Sequence, residues 1–145
     1  MNPLLVMCLA TLLVSCANLS PASWGASEWK GTGTAGVATA SLASLDWSKL
    51  PGVIAAIDGT KVGTGYNQAQ LAPGRHVIEY AYHTAEFGAH PQGKFGIDLH
   101  AGHAYEFNIK LCFWCSPRKS AVWVDDLTSN TLVWGKRPDW PAWYL

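Results

Sequence analysis

The sequence carries no excess charge of either sign. Its 145 residues include ten Lys and Arg against ten Asp and Glu, and only 14% of the residues are charged. Nucleic-acid binding requires a basic stripe, so this balance of charges excludes a typical DNA- or RNA-binding protein. The chain also lacks the low hydrophobicity of disordered proteins, since 49% of its residues are apolar. The length fits one folded domain.

The chain has little that points to catalysis. It contains no Gly-x-Ser-x-Gly motif of the serine hydrolases. Asp125 and Asp126 are the most visible acidic pair, but neighbours on a strand point to opposite faces and cannot act together. Asp126, where a strand meets a turn, is instead expected to cap that turn. We therefore expect no enzyme activity and no cofactor.

No apolar run approaches the ~20 residues of a spanning helix, but a shorter one lies at the N-terminus. Leu4 to Val14 is uncharged and suits the core of an export signal, which predicts a signal peptide over 1–15. It ends in Leu13-Val14-Ser15-Cys16, which resembles the bacterial lipobox, although Met1-Asn2-Pro3 lacks the usual Lys or Arg. The resemblance implies that Cys16 carries the lipid, and Ala17 after it implies the periplasmic side of the outer membrane. The alternative is an ordinary signal cleaved at Ser15-Cys16-Ala17.

The remaining chain divides by composition. Residues 16–47 are rich in Ser, Ala, Gly and Thr, which predicts a lipidated N-terminus followed by a flexible linker. Residues 48–135 carry the β pattern, and 136–145 form an aromatic tail interrupted by prolines. Fourteen glycines and eight prolines are consistent with many turns.

The β pattern is clearest in two segments with period-2 alternation. Phe95, Ile97 and Leu99 share one face, as do the apolar residues at odd positions from Tyr105 to Leu111. Turns between further short strands are predicted at three places, namely Asp58-Gly59, Pro73-Gly74 and residues 127–130. This pattern predicts an all-β fold, a small antiparallel β-sandwich of about seven strands.

The two alternating segments are expected to form a hairpin. A three-residue loop over 100–102 keeps both apolar sets on one face and pairs Ile97 with Tyr105, whereas a two-residue loop puts charge in the core. Gly102 is then expected in the left-handed conformation that glycine adopts without a Cβ clash.

Two further stretches carry a family resemblance. Ile57-Asp58-Gly59 and Leu71-Ala72-Pro73-Gly74-Arg75-His76 resemble the PEGA-like envelope modules, although the Pro-Glu-Gly-Ala tetrapeptide is absent. The stretches 99–105 and 122–126 look like a group of small proteobacterial lipoproteins of unknown function. The resemblance covers roughly residues 53–135. It implies a small sandwich with a binding or scaffolding role and no known catalytic residues.

Cys112-Phe113-Trp114-Cys115 is the most chemically suggestive motif. Redox C-x-x-C pairs lie at the start of a helix, but here the pattern predicts a second strand. Cysteines three apart on a straight strand are too distant to be bridged, so a disulfide requires a turn at Phe113-Trp114. A structural disulfide between Cys112 and Cys115 is the favoured interpretation. Free thiols, a metal pair and redox catalysis are the alternatives.

The five histidines and the tail are weaker candidates. His100 and His103 lie close together in the sequence, but nothing supplies the third ligand that a zinc site requires, so we expect no metal. In the tail, Trp140, Trp143 and Tyr144 either cover a sheet edge of their own domain or form a surface that stacks on sugars of the cell wall.

These observations leave two functional hypotheses. The first is a non-enzymatic lipoprotein anchored in the outer membrane that binds or scaffolds an envelope component, either cell-wall glycan or another envelope protein. The second is an exported redox or metal-handling protein that acts through Cys112, Cys115 and nearby histidines. A disulfide that resists strong reductants supports the first hypothesis, and an easily reduced one supports the second.

The lipid-anchor hypothesis predicts that Cys16→Ala abolishes membrane attachment and leaves the fold intact. The cysteine precedes a segment without β pattern, so we expect no packing to depend on it. Fractionation of cells with a high-salt wash measures the attachment. A variant that still sediments with membranes contradicts the anchor.

Overall fold

The computed structural model describes residues 27–31, 34, 38–84 and 91–140. Within them the only helix is a single 3-10 turn at Thr39–Ser41. The strands are β1 Ser27–Lys30, β2 Ala43–Asp46, β3 Ile54–Ile57, β4 Thr60–Lys61, β5 Tyr66–Leu71, β6 Gly74–Ala81, β7 Gln92–Leu99, β8 Ala104–Cys112, β9 Lys119–Asp126 and β10 Thr131–Gly135. The predicted all-β class is confirmed, and the described residues form ten strands rather than about seven. No helix in these ranges is long and apolar enough to cross a membrane.

The strands form two sheets that pack as a sandwich. Sheet one has six strands in the order β1-β5-β2-β8-β9-β10, and sheet two has four in the order β4-β3-β6-β7. Most neighbours are antiparallel as predicted, but β1 runs parallel to β5 and β2 runs parallel to β8. Sheet one is therefore a mixed sheet with parallel and antiparallel pairs. The parallel pairs arise where β1 lies beside β5 and β2 lies beside β8, strands that follow later in the chain.

These two strands lie inside the range 16–47, for which the composition predicted a linker. Ala43 and Leu45 of β2 are buried in the core, and Trp47 is completely buried with its Nε1 donating to the carbonyl of Tyr66 at 3.0 Å. The sandwich therefore begins before residue 48. Small residues such as Ala43 and Ser44 fit in β2, an inner strand of sheet one, but they give the sequence little of the hydrophobic alternation that predicts a strand.

Four aromatic rings join the two sheets at the centre. Phe95 and Tyr80 come from sheet two, and Phe107 and Trp134 come from sheet one. Phe95 stacks on Trp134 with ring centroids 3.7 Å apart, and Tyr80 lies 5.4 Å from Phe107 in a tilted arrangement. Tilted contacts such as that of Tyr80 with Phe107 add to the stabilisation from burial alone.

Two predicted hairpins are confirmed. β3 turns into β4 through Asp58 and Gly59, whose φ angles of 50° and 76° are both left-handed, as a two-residue hairpin requires. β9 turns into β10 through residues 127–130, with Asp126 paired to Thr131.

The predicted hairpin of β7 and β8 is wrong. β7 pairs only with β6 in sheet two, whereas β8 pairs with β2 and β9 in sheet one. Ile97 therefore lies opposite His76 rather than Tyr105. The segment 100–103 carries the chain across the core from one sheet to the other. Both strands still turn their apolar faces inward, because the two sheets share one core.

Gly102 does adopt the predicted left-handed conformation, with φ 72°. Its N–H donates to the carbonyl of Leu42 at 3.2 Å, and a Cβ here would lie 3.3 Å from the carbonyl oxygen of Ala40. The crossing segment is therefore held against the residues that lead into β2.

We expect Gly102→Val to lower the free energy of unfolding by at least ~1 kcal/mol, because a branched side chain is strained at positive φ. Ala101→Val, at the exposed neighbouring position, is the matched control and should have a mild effect. Thermal unfolding measures both. Equal melting temperatures for wild type and Gly102→Val would contradict the strained crossing.

Candidate functional site

Cys112 and Cys115 are joined as predicted. β8 ends at Cys112, and the chain then turns, which brings the two Cα atoms to 5.4 Å and the sulfurs to 2.01 Å. Cys112 is completely buried. The turn leads into strand β9 and not into a helix, so no helix N-terminus lies next to either sulfur. This arrangement fits a structural bridge at the end of the β8–β9 hairpin.

The bridge presents an exposed aromatic pair at its tip, which sequence reasoning did not single out. Trp114 is 81% exposed and Phe113 39% exposed. Both stand between the two cysteines, where a short bridged turn leaves no room for them to fold back into the core. The pattern of two aromatic residues between bridged cysteines was the available signal. We call Phe113 and Trp114 the aromatic tip.

A cleft of about 340 Å³ lies next to this end of β9. β10 pairs with β9 only as far as Gly135 and Trp123, and the N–H of Lys136 then donates to the carbonyl of Val122. The following residues, 136–140, face the part of β9 that β10 leaves unpaired. The lining residues are Lys119, Ser120, Ala121, Val122, Lys136, Arg137, Pro138, Asp139 and Trp140.

The cleft is basic and has one indole in its wall. Lys136 binds Asp139 at 2.8 Å, and this contact holds the pKa of the exposed Asp139 carboxyl below its ordinary value. Arg137 binds Asp125 at 2.7 Å. Lys119 forms no direct ion pair among the described residues, but its positive charge also helps to lower the pKa of the nearby Asp139 carboxyl.

Trp140 is the predicted tail residue that the structure brings into this cleft. It is partly buried, and its Nε1–H is enclosed without a hydrogen-bond partner in the described part of the chain. Trp143 and Tyr144, the other predicted binding residues, and Cys16, the predicted lipid site, lie outside the described residues. The three cations of the cleft were missed, although Lys136 and Arg137 stand directly before the tail tryptophans in the sequence.

Asp125 and Asp126 point to opposite faces, as predicted. Asp125 accepts from the indole of Trp123 at 2.8 Å and from Arg137 on the outside of sheet one. Asp126 is buried and caps the following turn, accepting from the N–H groups of Thr128 and Ser129. Its other oxygen lies 2.7 Å from Nδ1 of His103.

These contacts change the acidity of Asp126. Burial by itself raises the pKa of this carboxyl, but the hydrogen bonds from His103, Ser129 and Thr128 outweigh it and lower the pKa to about 2. The carboxylate is therefore ionised in the folded protein at neutral pH. It holds the crossing segment and the β9–β10 turn together.

A second aspartate and histidine pair joins the two motifs of the PEGA-like resemblance. Asp58 accepts from the N–H of Val77 at 2.8 Å and lies 2.7 Å from Nδ1 of His76, whose Nε2 lies 2.7 Å from the carbonyl oxygen of Ala72. Burial raises the pKa of Asp58, but the contacts with Val77 and His76 hold it below its ordinary value. Both ring nitrogens of His76 face oxygen atoms that can accept a hydrogen bond. The motif residues thus fasten the β3–β4 turn to β6.

The histidines do not converge on a metal site. His100 and His103 lie edge to face with ring centroids 5.3 Å apart, but no group of three potential ligands exists among the described residues. His83 is exposed and makes contacts of its own, and His90 lies outside the described residues.

Comparison with known proteins gave no match: no family model, no curated protein and no solved structure is significantly similar to this chain. The resemblance to PEGA-like modules and small lipoproteins therefore stays a prediction.

The depressed pKa of Asp126 predicts an acid-sensitive fold. A carboxyl whose pKa falls from 3.8 to about 2 on folding contributes stability that is present above its unfolded value and lost as the pH falls through about 2. We expect Asp126→Asn to lower the free energy of unfolding near pH 7 by on the order of 2 kcal/mol. The variant should also lose less stability than wild type between about pH 5 and 2.

Urea unfolding across that pH range measures both effects. Asp98→Asn is the matched control, because Asp98 is an exposed aspartate whose bridge to Arg75 lies on the surface and should contribute little. Parallel pH profiles for wild type and Asp126→Asn would contradict the assignment.

Proposed function

We propose that this protein is a non-enzymatic envelope lipoprotein, anchored through Cys16 in the outer membrane, that binds cell-wall glycan in the cleft between β9 and residues 136–140. The observation that carries the proposal is the combination of Trp140 with Lys119, Lys136 and Arg137 around one cavity. The segment Leu13-Val14-Ser15-Cys16 after an apolar run supports the anchor.

The chemistry of the cleft suits an anionic sugar. An indole offers a flat apolar surface for the C–H face of a sugar ring and an N–H donor at its edge. The Nε1–H of Trp140 is enclosed, so the proposed contact with a sugar is made by the indole ring and not by this N–H. Lysine and arginine form strong charge-assisted bonds with carboxylates, which the peptide-linked polymer of the cell wall carries.

The three cations of the cleft differ in the ion pairs that they already form. Lys136 and Arg137 are each held by an aspartate, which fixes their position on either side of the cleft. Lys119 is exposed and forms no direct salt bridge in the described structure, although the Asp139 carboxylate lies close enough to interact with its charge. We infer that Lys119 makes the main contact with the anionic group and that the other two position the ligand.

Structural contacts account for other reactive groups of the described chain. His76 and His103 each have a carboxylate partner and take part in holding a turn in place. Cys112 and Cys115 are bridged, and the bridge closes a turn. The structural contacts of these two histidines and two cysteines explain their presence.

The position of residues 136–140 reconciles the two interpretations of the tail. The segment continues beside β9 where β10 ends, so it covers an edge of its own sheet. The same position leaves a cleft between the segment and β9. A single arrangement can therefore protect the edge and hold a ligand.

Sedimentation with isolated cell-wall sacculi tests the proposal. We expect Trp140→Ala and Lys119→Gln each to weaken binding roughly tenfold, the effect of losing about 1.4 kcal/mol of interaction free energy. Two controls match them in residue type: Trp114→Ala, at the exposed aromatic tip, and Lys94→Gln, an exposed lysine on β7 bound to Glu79.

Both controls should bind sacculi as wild type does. Melting temperatures of all four variants establish that each is folded. Wild-type protein that does not sediment with sacculi, or a Trp140→Ala variant that is folded and binds normally, would overturn the glycan-binding role.

A further inference from the structure

The register of sheet one shows where the chain enters the domain. Glu28, Gln68, Asp46 and Glu106 lie in one row across β1, β5, β2 and β8. Ser27 pairs with Tyr66. It therefore lies beyond this row, on the side where β8 ends. The entry at Ser27 and the end of β8 are thus on the same end of sheet one.

The aromatic tip projects from that same end. β8 runs on from Glu106 to Cys112, and the bridged turn carries Phe113 and Trp114 past the last paired residues, Cys112 and Lys119. Trp114 is the most exposed large apolar side chain of the described structure, at 81%. The disulfide restricts the turn, so little conformational freedom would be lost when the tip is buried against another surface.

The hairpin segment that carries the tip is basic in sequence. From residue 107 to residue 124 the chain contains Lys110, Arg118 and Lys119 and no acidic residue. Lys110 precedes the first cysteine by two positions, and Lys119 pairs with Cys112 across the hairpin. An exposed tryptophan next to several cations is the composition that favours the interface of a membrane, where the indole lies at headgroup level and the cations meet anionic lipids.

We propose that the aromatic tip docks on the lipid surface that holds the N-terminal anchor, so that the sandwich stands on the membrane with this end down. This inference rests on the lipid anchor of the proposed function. It adds a second membrane contact, made by the folded domain itself. Trp114 enters the interfacial region, and Lys110 adds a cation on the same hairpin.

The length of the chain before Ser27 permits this contact. Residues 17–26 span at most about 35 Å when extended. The tip lies three strand spacings across the sheet from β1 and several residues further along β8, a separation of roughly 25 Å. A chain lipidated at Cys16 can therefore keep both the lipid and the tip at one surface.

Quenching of tryptophan fluorescence tests the docking. The mature lipidated protein is reconstituted in vesicles of phosphatidylcholine and phosphatidylglycerol, with and without brominated acyl chains, which quench only indoles close to the lipid. We expect brominated lipid to quench wild-type protein and Trp140→Ala to a similar extent. Trp114→Ala should lose most of that quenching.

Leu127→Trp is the control for orientation. Leu127 is 54% exposed in the turn after β9, at the end of sheet one opposite to the tip. A tryptophan there should add fluorescence that brominated lipid does not quench. Unchanged quenching in Trp114→Ala, or strong quenching of the added indole at position 127, would overturn the docking.

The outcomes also separate this inference from the proposed function. A protein that does not stay with the vesicles would overturn the anchor and the docking together. A protein that stays with the vesicles but shows no quenching assigned to Trp114 would overturn the docking alone. Trp140→Ala should lose sacculus binding and keep lipid quenching, whereas Trp114→Ala should do the reverse.

Discussion

The contact between the two sheets depends on the ring cluster of Tyr80, Phe95, Phe107 and Trp134. Each sheet contributes two of the rings, and the closest pair, Phe95 and Trp134, brings the edge strand β10 onto β7 across the core. Aromatic side chains bury large apolar areas, and Phe107 of this cluster lies with Trp47 and Tyr105 among the largest fully buried side chains of the sandwich. The position of β10 fixes the start of residues 136–140, so the cleft itself depends on this packing.

Two aspartate–histidine pairs then lock the turns around that core. Asp58 with His76 fastens the β3–β4 turn to β6, and Asp126 with His103 fastens the β9–β10 turn to the segment that crosses between the sheets. Both aspartates combine a backbone contact with a ring contact, which is why both have a lowered pKa. The residues of the PEGA-like resemblance thus have a structural explanation, and the features that suggest binding lie elsewhere in the molecule.

Those features gather at one end of sheet one. The entry of the chain, the bridged aromatic tip and the cleft all lie toward the end of β8, and the Asp126 turn lies at the other end. Sequence reasoning identified some members of this group, namely the bridge of Cys112 and Cys115 and the tail residue Trp140. It could not bring Lys119 together with Trp140, because the two are adjacent only after β10 ends and residues 136–140 continue beside β9.

The sequence by itself determined the fold class, the faces of the strands and the tight turns. Alternation in 95–99 and 105–111 is a local property of the chain, as is the preference of Gly59 and Gly102 for positive φ. Only the tertiary structure decided which strands are neighbours where no tight turn joins them. An apolar face meets the same core whether its strand forms a hairpin with the next one or crosses to the facing sheet, so the pattern of β7 and β8 fits both topologies. The choice between these two topologies depends on the long-range packing of β2, β6 and β9, and no local feature of the sequence indicates it.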